Sequence, residues 1–423
     1  MSYCSTQDKS INIGFLEAVL RERPADDALY MPSHFNHPVI SWMPDFAEFA
    51  AQFLYPFVAP DLGRAETLAL CRRAFTFPVQ WRELSPRRYQ LELFHGPSGS
   101  FKDFSAQFLA QLLGMMHSDK RRLIISAVTP DYGAALAAAF HGMDNTQVVL
   151  VFPKQQFSTR QVHQIASQGG NILALAVDGG LDDCQRLVDA CLQSEAVQEQ
   201  FAVTPVTDAN IGWILPQMVY YAYNSMLSER LHREYMNIII PTGEGVHLVA
   251  ACWAKAMGYP INEIVVAQGE QAPIVEYLFH IQKGHAWDWE SDNLPDNLPR
   301  LQALFERETE LVKQLQAYSV SNAAIKGAIA HCYAEMGAAL SPQTALAYKG
   351  LPTTDVDPRA WTIAATAHAA KYNDYIEPVI GAQIPVPESL ANQLNQPAQV
   401  TAISAEPEQL LDRLLKREVE QAA

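Results

Sequence analysis

The spacing of hydrophobic and polar residues changes along the chain. Up to about residue 88, apolar residues recur three or four positions apart, which predicts a mainly helical N-terminal segment. After it, short apolar runs such as RLIISAV at 122–128 and QVVLVFP at 147–153 alternate with amphipathic or alanine-rich segments. Such alternation predicts βαβ units in a parallel sheet that helices cover on both faces. The same pattern starts again near residue 237.

The individual elements follow from the same pattern and from the positions of proline and glycine. The N-terminal segment has predicted helices at 44–59 and 63–75. Strands are predicted at 122–128, 147–153, 171–177, 237–240, 264–267 and 400–404. Helices are predicted at 134–141, 159–167, 181–192, 246–257 and 406–420, and loops or turns at 129–133, 241–245 and 285–300.

Length and composition limit the classes of function. A chain of 423 residues with 49% hydrophobic residues predicts a globular protein of two or three domains. The net charge is −16 and no basic run occurs, so nucleic acid and anionic membranes are poor partners. Without a leader or an apolar span, the expected location is cytoplasmic. The scattered cysteines predict buried thiols rather than disulfides, and neither they nor the histidines show metal-site spacing.

One stretch, LELFHGPSGSFKDFSAQFLAQLL at 91–113, combines several chemical signals. A turn leads into a segment with Phe101, Phe104 and Phe108 at helical spacing, and Lys102 lies where that helix begins. Burial among aromatic rings and the positive end of the helix dipole both favour a neutral amine there. A neutral amine is what a Schiff-base lysine requires. A solvated lysine near a helix start is the ordinary alternative.

Two predicted strand-to-helix turns lie where ligands bind in open α/β sheets. Residues 241–245, PTGEG, join a strand to a helix, and backbone amides at such a helix start can hold a phosphate. Residues 129–133, TPDYG, form the other turn. On the residues alone, a lone G-x-G is weak evidence and either segment could be an ordinary turn.

The lysine stretch resembles a known motif. His95-Gly96-Pro97 and Phe101-Lys102-Asp103 are similar to the lysine motif of threonine synthases, the pyridoxal 5'-phosphate (PLP) enzymes that convert O-phosphohomoserine into threonine and phosphate. The resemblance continues in order along nearly the whole chain. It implies an α/β, two-lobed, tryptophan-synthase-β-like PLP fold with a helical N-terminal extension and the cofactor in the cleft. The implied domains are 1–88, 89–222 and 223–423.

The resemblance also implies which residues form the site. Lys102 would be catalytic and would carry the PLP aldimine, and Thr366 would bond the pyridine nitrogen. The implied partner is a small amino-acid substrate, and the implied state is a monomer or homodimer without a metal. The cofactor-binding residues would be Lys102, Asp131, Thr242, Gly243, Gly245 and Thr366, and the substrate-binding residues Ser98, Thr129, Asn210 and Asn297.

Several positions depart from the family pattern and change the expected charge of the pocket. Trp213 stands where the family usually has an arginine, and Glu244 lies in the phosphate turn. Asp208 and Asp296 stand where the family usually has serine, and the turn at 129–133 has proline and tyrosine for glycine and threonine. These changes leave three interpretations. They are a threonine synthase with altered loops, a PLP lyase or replacement enzyme of related chemistry acting on a different, less anionic amino acid, and a non-catalytic paralogue with a binding or regulatory role.

Overall fold

The computed structural model describes residues 1–35, 40–59, 61–285 and 295–422. The chain forms two compact units, each assembled from separate segments. The first consists of Met1–Gly96 and Asp208–Pro385, and the second of Pro97–Thr207 and Val386–Ala423. Among the described residues, helices long and apolar enough to cross a membrane do not occur.

The strands are short and mostly buried. In chain order they are β1 (Tyr3–Ser5), β2 (Tyr30–Pro32), β3 (Gln80–Ser85), β4 (Arg88–Glu92), β5 (Arg121–Ala127), β6 (Thr146–Pro153), β7 (Ile172–Val177), β8 (Phe201–Val203), β9 (Met236–Pro241), β10 (Ile261–Gln268), β11 (Leu315–Ser319), β12 (Trp361–Ala365) and β13 (Val400–Ile403).

Helices connect most of these strands. They are α1 (Phe15–Arg21), α2 (Phe46–Val58), α3 (Arg64–Ala74), α4 (Lys102–Gly114), α5 (Pro130–Phe140), α6 (Thr159–Ala166), α7 (Leu181–Gln193), α8 (Glu195–Gln200), α9 (Ile211–His232), α10 (Val246–Ala256), α11 (Pro273–Gln282), α12 (Leu298–Arg307), α13 (Thr309–Gln314), α14 (Asn322–Met336), α15 (Pro342–Lys349), α16 (Asn373–Ile380), α17 (Glu388–Leu394) and α18 (Pro407–Ala422), with a 3-10 helix at Ala369–Tyr372.

The sheet of the first unit has the order β11-β10-β9-β12-β4-β3. Its neighbouring strands run parallel except for β3, which pairs antiparallel with β4. The central strands β9 (MNIIIP) and β12 (WTIAA) are buried at every position, as expected for parallel strands covered on both faces. The carboxyl ends of β9, β12 and β4 therefore lie at one edge of this sheet.

The N-terminal segment belongs to the same unit. The predicted helices at 44–59 and 63–75 are confirmed as the slightly shorter α2 and α3. Phe49, Phe53 and Phe57 recur every four residues along α2, are fully buried, and stack in sequence with centroids 6.3 and 5.8 Å apart. Two three-residue strands, β1 and β2, also pair antiparallel here. The helical periodicity does not predict that pair, because such strands are too short to show alternation.

The second unit contains an all-parallel sheet with the order β13-β7-β6-β5-β8. The predicted strands and helices between 122 and 192 are confirmed within a few residues, apart from the start of α5. Strand β13 returns from the C-terminal end of the chain and pairs with β7. All six cysteines of the sequence are buried free thiols, as predicted.

Two predicted loops are partly helical instead. Helix α5 begins at Pro130, so 130–133 form its first turn rather than a loop. Proline favours the first position of a helix, where its missing N–H would have no partner anyway. The predicted loop at 285–300 ends in the same way. Its last three residues, Leu298–Arg300, form the start of α12, with Pro299 in the first turn. Asp292 of that loop lies outside the described residues.

The segments of the two units differ from the division into 1–88, 89–222 and 223–423. Strand β4 and helix α9 belong to the first unit, although 89–222 includes most of β4 and the N-terminal half of α9. Strand β13 and helix α18 belong to the second unit, because β13 pairs with β7 there. Pairing between strands more than 200 residues apart leaves no local signal in the sequence.

Candidate cofactor site

Lys102 is the first residue of α4, where the sequence places it. It is only 6% exposed, and Phe101 and Phe104, which flank it in the sequence, are buried as well. The helix that it opens is buried on nearly every face rather than on one. The lysine is therefore shielded from water at the N-terminal end of a buried helix.

The turn before Lys102 is held by side chains of the second unit. The buried carboxylate of Asp103 accepts hydrogen bonds from the backbone N–H of Ser98 (3.2 and 3.0 Å) and of Ser100 (3.5 Å). Gln164 donates to the carbonyl of Ser98 (2.9 Å), and Gln393 donates to that of Pro97 (3.0 Å). These bonds fix the backbone from which the lysine projects. Ser98, predicted to bind substrate, is fully buried in this turn.

Tyr132 packs beside the lysine, a contact that the sequence does not reveal. Its ring centroid lies 5.2 Å from Nζ of Lys102, within cation–π range. Its hydroxyl donates to the carbonyl of Val206, which fixes the ring. Thr129 is the N-cap residue of α5, and the half-buried Asp131 lies in its first turn. Thr129 and Asp131 lie in the same unit as Lys102.

Two buried hydroxyls lie at neighbouring strand ends in the first unit. Thr242 follows the last residue of β9, and Thr366 follows the last residue of β12, the adjacent parallel strand. Both side chains are 3–4% exposed, and neither Oγ1 has a hydrogen-bond partner among the described residues. Buried polar groups are nearly always hydrogen-bonded, so unsatisfied hydroxyls at a ligand-binding edge indicate a missing polar partner.

The turn after Thr242 is shaped for an anion. Gly245 has φ +82° and caps the N-terminus of α10, so it needs the conformational freedom of glycine. A Cβ at this position would come within 3.2 Å of Ile274 Cδ1. Gly243 is exposed and has open space where a side chain would begin. Glycine turns at helix starts bring backbone N–H groups close to phosphates, although the half-buried Glu244 adds a negative charge here.

Asn210 and Asn297, predicted to bind substrate, make hydrogen bonds within the first unit. Asn210 caps α9 by accepting from Gly212 N (2.9 Å) and donates to the carbonyl of Val19 (2.8 Å). Asn297 donates to the carbonyl of Asp208 (3.2 Å). Both side chains are fully buried. The structure therefore gives each of them a role in holding the loop that leads into α9.

Arg300 completes this network and is a residue whose role the sequence does not reveal. Its fully buried guanidinium donates to Asn297 Oδ1 (2.7 Å) and to the carbonyls of Tyr30 (2.9 Å) and Ala209 (2.6 Å). Burial lowers its pKa to about 9, although the nearby carboxylate of Asp208 acts in the opposite direction. Arg300 thus joins the N-terminal strand β2 to helices α9 and α12.

A second group that the sequence does not reveal lies near the carboxyl ends of β4 and β12. The carboxylate of Glu92 contacts His95 Nε2 at 2.8 Å. His368 lies close by, its ring packed edge-on against Phe94. Burial, and then the charge of His95, lowers the pKa of His368 to about 4, and its Nδ1 accepts a hydrogen bond from Ala370 N. His368 is therefore neutral at physiological pH and holds the turn after Thr366.

Comparisons with known proteins show which family and which solved structures the chain is similar to. The family described as pyridoxal-phosphate-dependent enzyme matches residues 87–361. The curated threonine synthase of Serratia marcescens is 28% identical, covering 94% of this chain and 95% of that protein. The crystal structure of threonine synthase from Escherichia coli has a TM-score of 0.84 and 26% identity and covers 99% of this chain and 100% of its own. The PLP-bound threonine synthase from Brucella melitensis has a TM-score of 0.86 and 25% identity, with 98% of both chains covered.

Proposed function

The chain belongs to the pyridoxal-phosphate-dependent enzyme family, and we propose that it is a lyase of threonine synthase type with Lys102 as the catalytic residue. In this proposal the substrate is O-phosphohomoserine or a related amino acid. The expected two-sheet α/β fold and the PLP dependence of the family are confirmed. The substrate and the role of each residue belong to the proposal.

The residues of the first unit fit the cofactor. Thr242 and Thr366 supply two buried hydroxyls that have no hydrogen-bond partner among the described residues, and PLP offers a phosphate and a pyridine nitrogen. Gly243 and Gly245 leave the turn open to a phosphate at the start of α10. The pair of unsatisfied hydroxyls at neighbouring strand ends is the observation that carries the proposal.

Each residue would have a distinct task. Bound PLP supplies an electron sink for charge that develops on the substrate. Lys102 would hold the cofactor covalently through Nζ and then, as an amine, move protons to and from the substrate. The hydroxyl of Thr366 would bond the pyridine nitrogen, and Thr242 with the turn to Gly245 would bind the phosphate. Asp103 would act through the backbone of Ser98 and Ser100, which positions the lysine.

Two departures from the family pattern would favour a substrate less anionic than O-phosphohomoserine. They are the loss of an arginine at Trp213 and the added carboxylates of Asp208 and Asp296. Trp213 is fully buried on α9 and supplies no cation where the family usually has an arginine. Arg300 cannot take over that role, because backbone carbonyls and Asn297 already occupy its guanidinium. Asp208 and Asp296, however, both act electrostatically on Arg300, so their charges are partly balanced there. The loss of the arginine is therefore the stronger of the two charge arguments.

We expect turnover of O-phosphohomoserine below about one per second, an ordinary enzyme rate, because a buried phosphate dianion without a cation is poorly stabilised. The measurement uses the PLP-loaded protein. It compares the rate of inorganic phosphate release from O-phosphohomoserine with the rate of 2-oxo acid release from L-serine and L-threonine. Faster turnover of the uncharged amino acids would support the less anionic substrate. A rate of one per second or more from O-phosphohomoserine would contradict the charge argument and leave a threonine synthase with altered loops. Bound cofactor with no turnover of any of these amino acids would favour the non-catalytic alternative.

Replacing Glu244 by asparagine should tighten PLP binding. Two like charges about 4 Å apart at an effective dielectric near 20 repel by roughly 4 kcal/mol, and solvent around this half-buried side chain reduces that value. We expect a dissociation constant lower by about tenfold, measured by titrating the apoprotein with PLP at low ionic strength. Glu276→Gln on the exposed face of α11 removes the same charge and should leave the affinity unchanged. Equal affinities of Glu244→Asn and wild type would show that the Glu244 carboxylate points away from the phosphate.

A further inference from the structure

A glutamate and a histidine form a pair close to Thr366, and none of the tasks assigned above uses them. Glu92 is the last residue of β4 and pairs in register with Ala365, the last residue of β12. Thr366 follows Ala365 directly, so Glu92 lies at the strand ends where the cofactor would bond to Thr366. His95 follows Glu92 by three residues, and its Nε2 lies 2.8 Å from the Glu92 carboxylate.

The pair has the arrangement of an acid–base group. The Glu92 side chain is only 11% exposed, and a carboxylate in this position orients an imidazole and stabilises its charged form. Because an ionised carboxylate only accepts hydrogen bonds, Nε2 of His95 donates to it. Nδ1 of His95 has no hydrogen-bond partner among the described residues, and the His95 side chain is 27% exposed. One nitrogen is therefore held in place, and the other can exchange a proton with a ligand.

The neighbouring histidine does not compete for this proton. The ring of Phe94 packs against both His95 and His368, with centroids 5.0 and 5.3 Å away, so the segments after β4 and β12 meet. Burial lowers the pKa of His368 to about 4, and its ring stays neutral at physiological pH. Lys371 also acts electrostatically on His368, but it is fully buried. His95 is therefore the partly exposed proton donor of this group.

A proton donor matters most when the leaving group is a hydroxyl. The function proposed above, on which this inference rests, has a substrate less anionic than O-phosphohomoserine because Trp213 supplies no cation. A lyase that acts on an uncharged β-hydroxy amino acid must break the bond between the β carbon and oxygen. Hydroxide is a poor leaving group unless an acid protonates it as that bond breaks.

We propose that His95, oriented by Glu92, is the general acid that protonates the leaving hydroxyl of a β-hydroxy amino acid. Lys102 takes the α proton, the bond from the β carbon to oxygen breaks, and the oxygen keeps the electron pair. The proton on Nδ1 of His95 then completes a water molecule. The unsaturated amino acid that results takes up water and gives a 2-oxo acid and ammonia, and His95 regains its proton from solvent.

A substrate whose leaving group needs no proton tests the proposal on the PLP-loaded protein. L-Serine and L-threonine lose hydroxide, whereas β-chloro-L-alanine loses chloride. We expect His95→Gln to lower turnover of the hydroxy amino acids by about 10²–10⁴-fold, the usual contribution of a positioned acid–base group, and that of β-chloro-L-alanine by less than about threefold. Glu92→Gln should show the same selectivity with a smaller loss, about tenfold, because the imidazole remains. His117→Gln, on the surface, should leave all rates unchanged.

Chemical modification tests contact with the ligand without relying on turnover. Diethyl pyrocarbonate acylates accessible imidazoles, and peptide mass spectrometry measures the rate at each histidine. We expect His95 to react in the apoprotein, and at least about tenfold more slowly when saturating PLP and L-alanine, which has no leaving group, cover it. His117 is the matched control, since it also contacts a carboxylate, Asp119 Oδ1 at 3.0 Å, but is exposed. Its rate should be the same in both states.

The outcomes separate this inference from the proposed function. Equal losses for hydroxy and chloro substrates, in a His95→Gln protein with the wild-type circular dichroism spectrum, would overturn the inference and leave the lyase function standing. Equal modification of His95 with and without ligands would do the same, and so would a wild type that uses β-chloro-L-alanine but neither L-serine nor L-threonine. A wild type that turns over none of these compounds and no O-phosphohomoserine would overturn the proposed function, and the inference with it.

Discussion

Replacement of Lys102 by alanine is expected to remove both covalent PLP attachment and catalysis. The variant loses the amine that holds the cofactor and that would transfer protons, so turnover should fall by at least the roughly 10²–10⁴-fold that a positioned acid–base group contributes. The measurement compares visible absorbance after PLP loading with the turnover of whichever amino acid the wild type accepts. Lys154→Ala is the matched control, since Lys154 is an exposed lysine of the same unit.

The environment of Lys102 makes this prediction specific. The carboxylate of Asp103 and the side chains of Gln164 and Gln393 hold the backbone of the preceding turn without using the lysine side chain. The alanine variant should therefore keep the wild-type circular dichroism spectrum. A folded variant that retains visible absorbance and turnover would contradict the assignment of Lys102.

Replacement of Arg300 by leucine is expected to have the largest effect on stability. Removing one partner from a buried, hydrogen-bonded charge network typically costs about 3–5 kcal/mol. Here the change leaves the carbonyls of Tyr30 and Ala209 without their donor, inside the core. It also leaves Asp208 and Asp296 without the cation that acts on them. We expect a clear loss of thermal stability and faster proteolysis near β2.

Arg307→Leu is the control for this variant. Arg307 lies on the same helix and also donates to carbonyls at and just after β2, but it is exposed. Its replacement should lower stability by no more than about 1 kcal/mol. Equal melting temperatures for the two variants would show that burial of the Arg300 network does not stabilise this part of the fold.

The elements of the fold could be predicted where the sequence signal is local. Apolar runs such as those of β6, β7 and β9 are buried on both faces and stand out against their polar flanks. The sequence does not predict the start of α5, because proline is common in turns as well as at the first position of a helix, which Pro130 occupies. The assignment of β13 to the sheet of β7 could not be predicted, since it depends on pairing over more than 200 residues.

The candidate site shows the same limit. Lys102, Thr242, Gly245 and Thr366 could be selected because motif and strand-end position identify them in the sequence. Their neighbours could not, because the contact between Tyr132 and Lys102 arises only when α4 and α5 pack together. The resemblance predicts that Asn210 and Asn297 bind substrate, and in the structure both side chains make hydrogen bonds to other residues of the first unit. A residue's position in a motif does not tell whether its polar atoms are already used.

The most direct test of the account is to locate PLP on the wild-type chain. The protein is incubated with PLP, its absorbance spectrum is recorded, and borohydride reduction is followed by peptide mass spectrometry. The account predicts a visible absorption band that reduction removes, and a pyridoxyl group on Lys102 alone. No visible band in the presence of excess PLP, or a pyridoxyl group on another lysine, would contradict it.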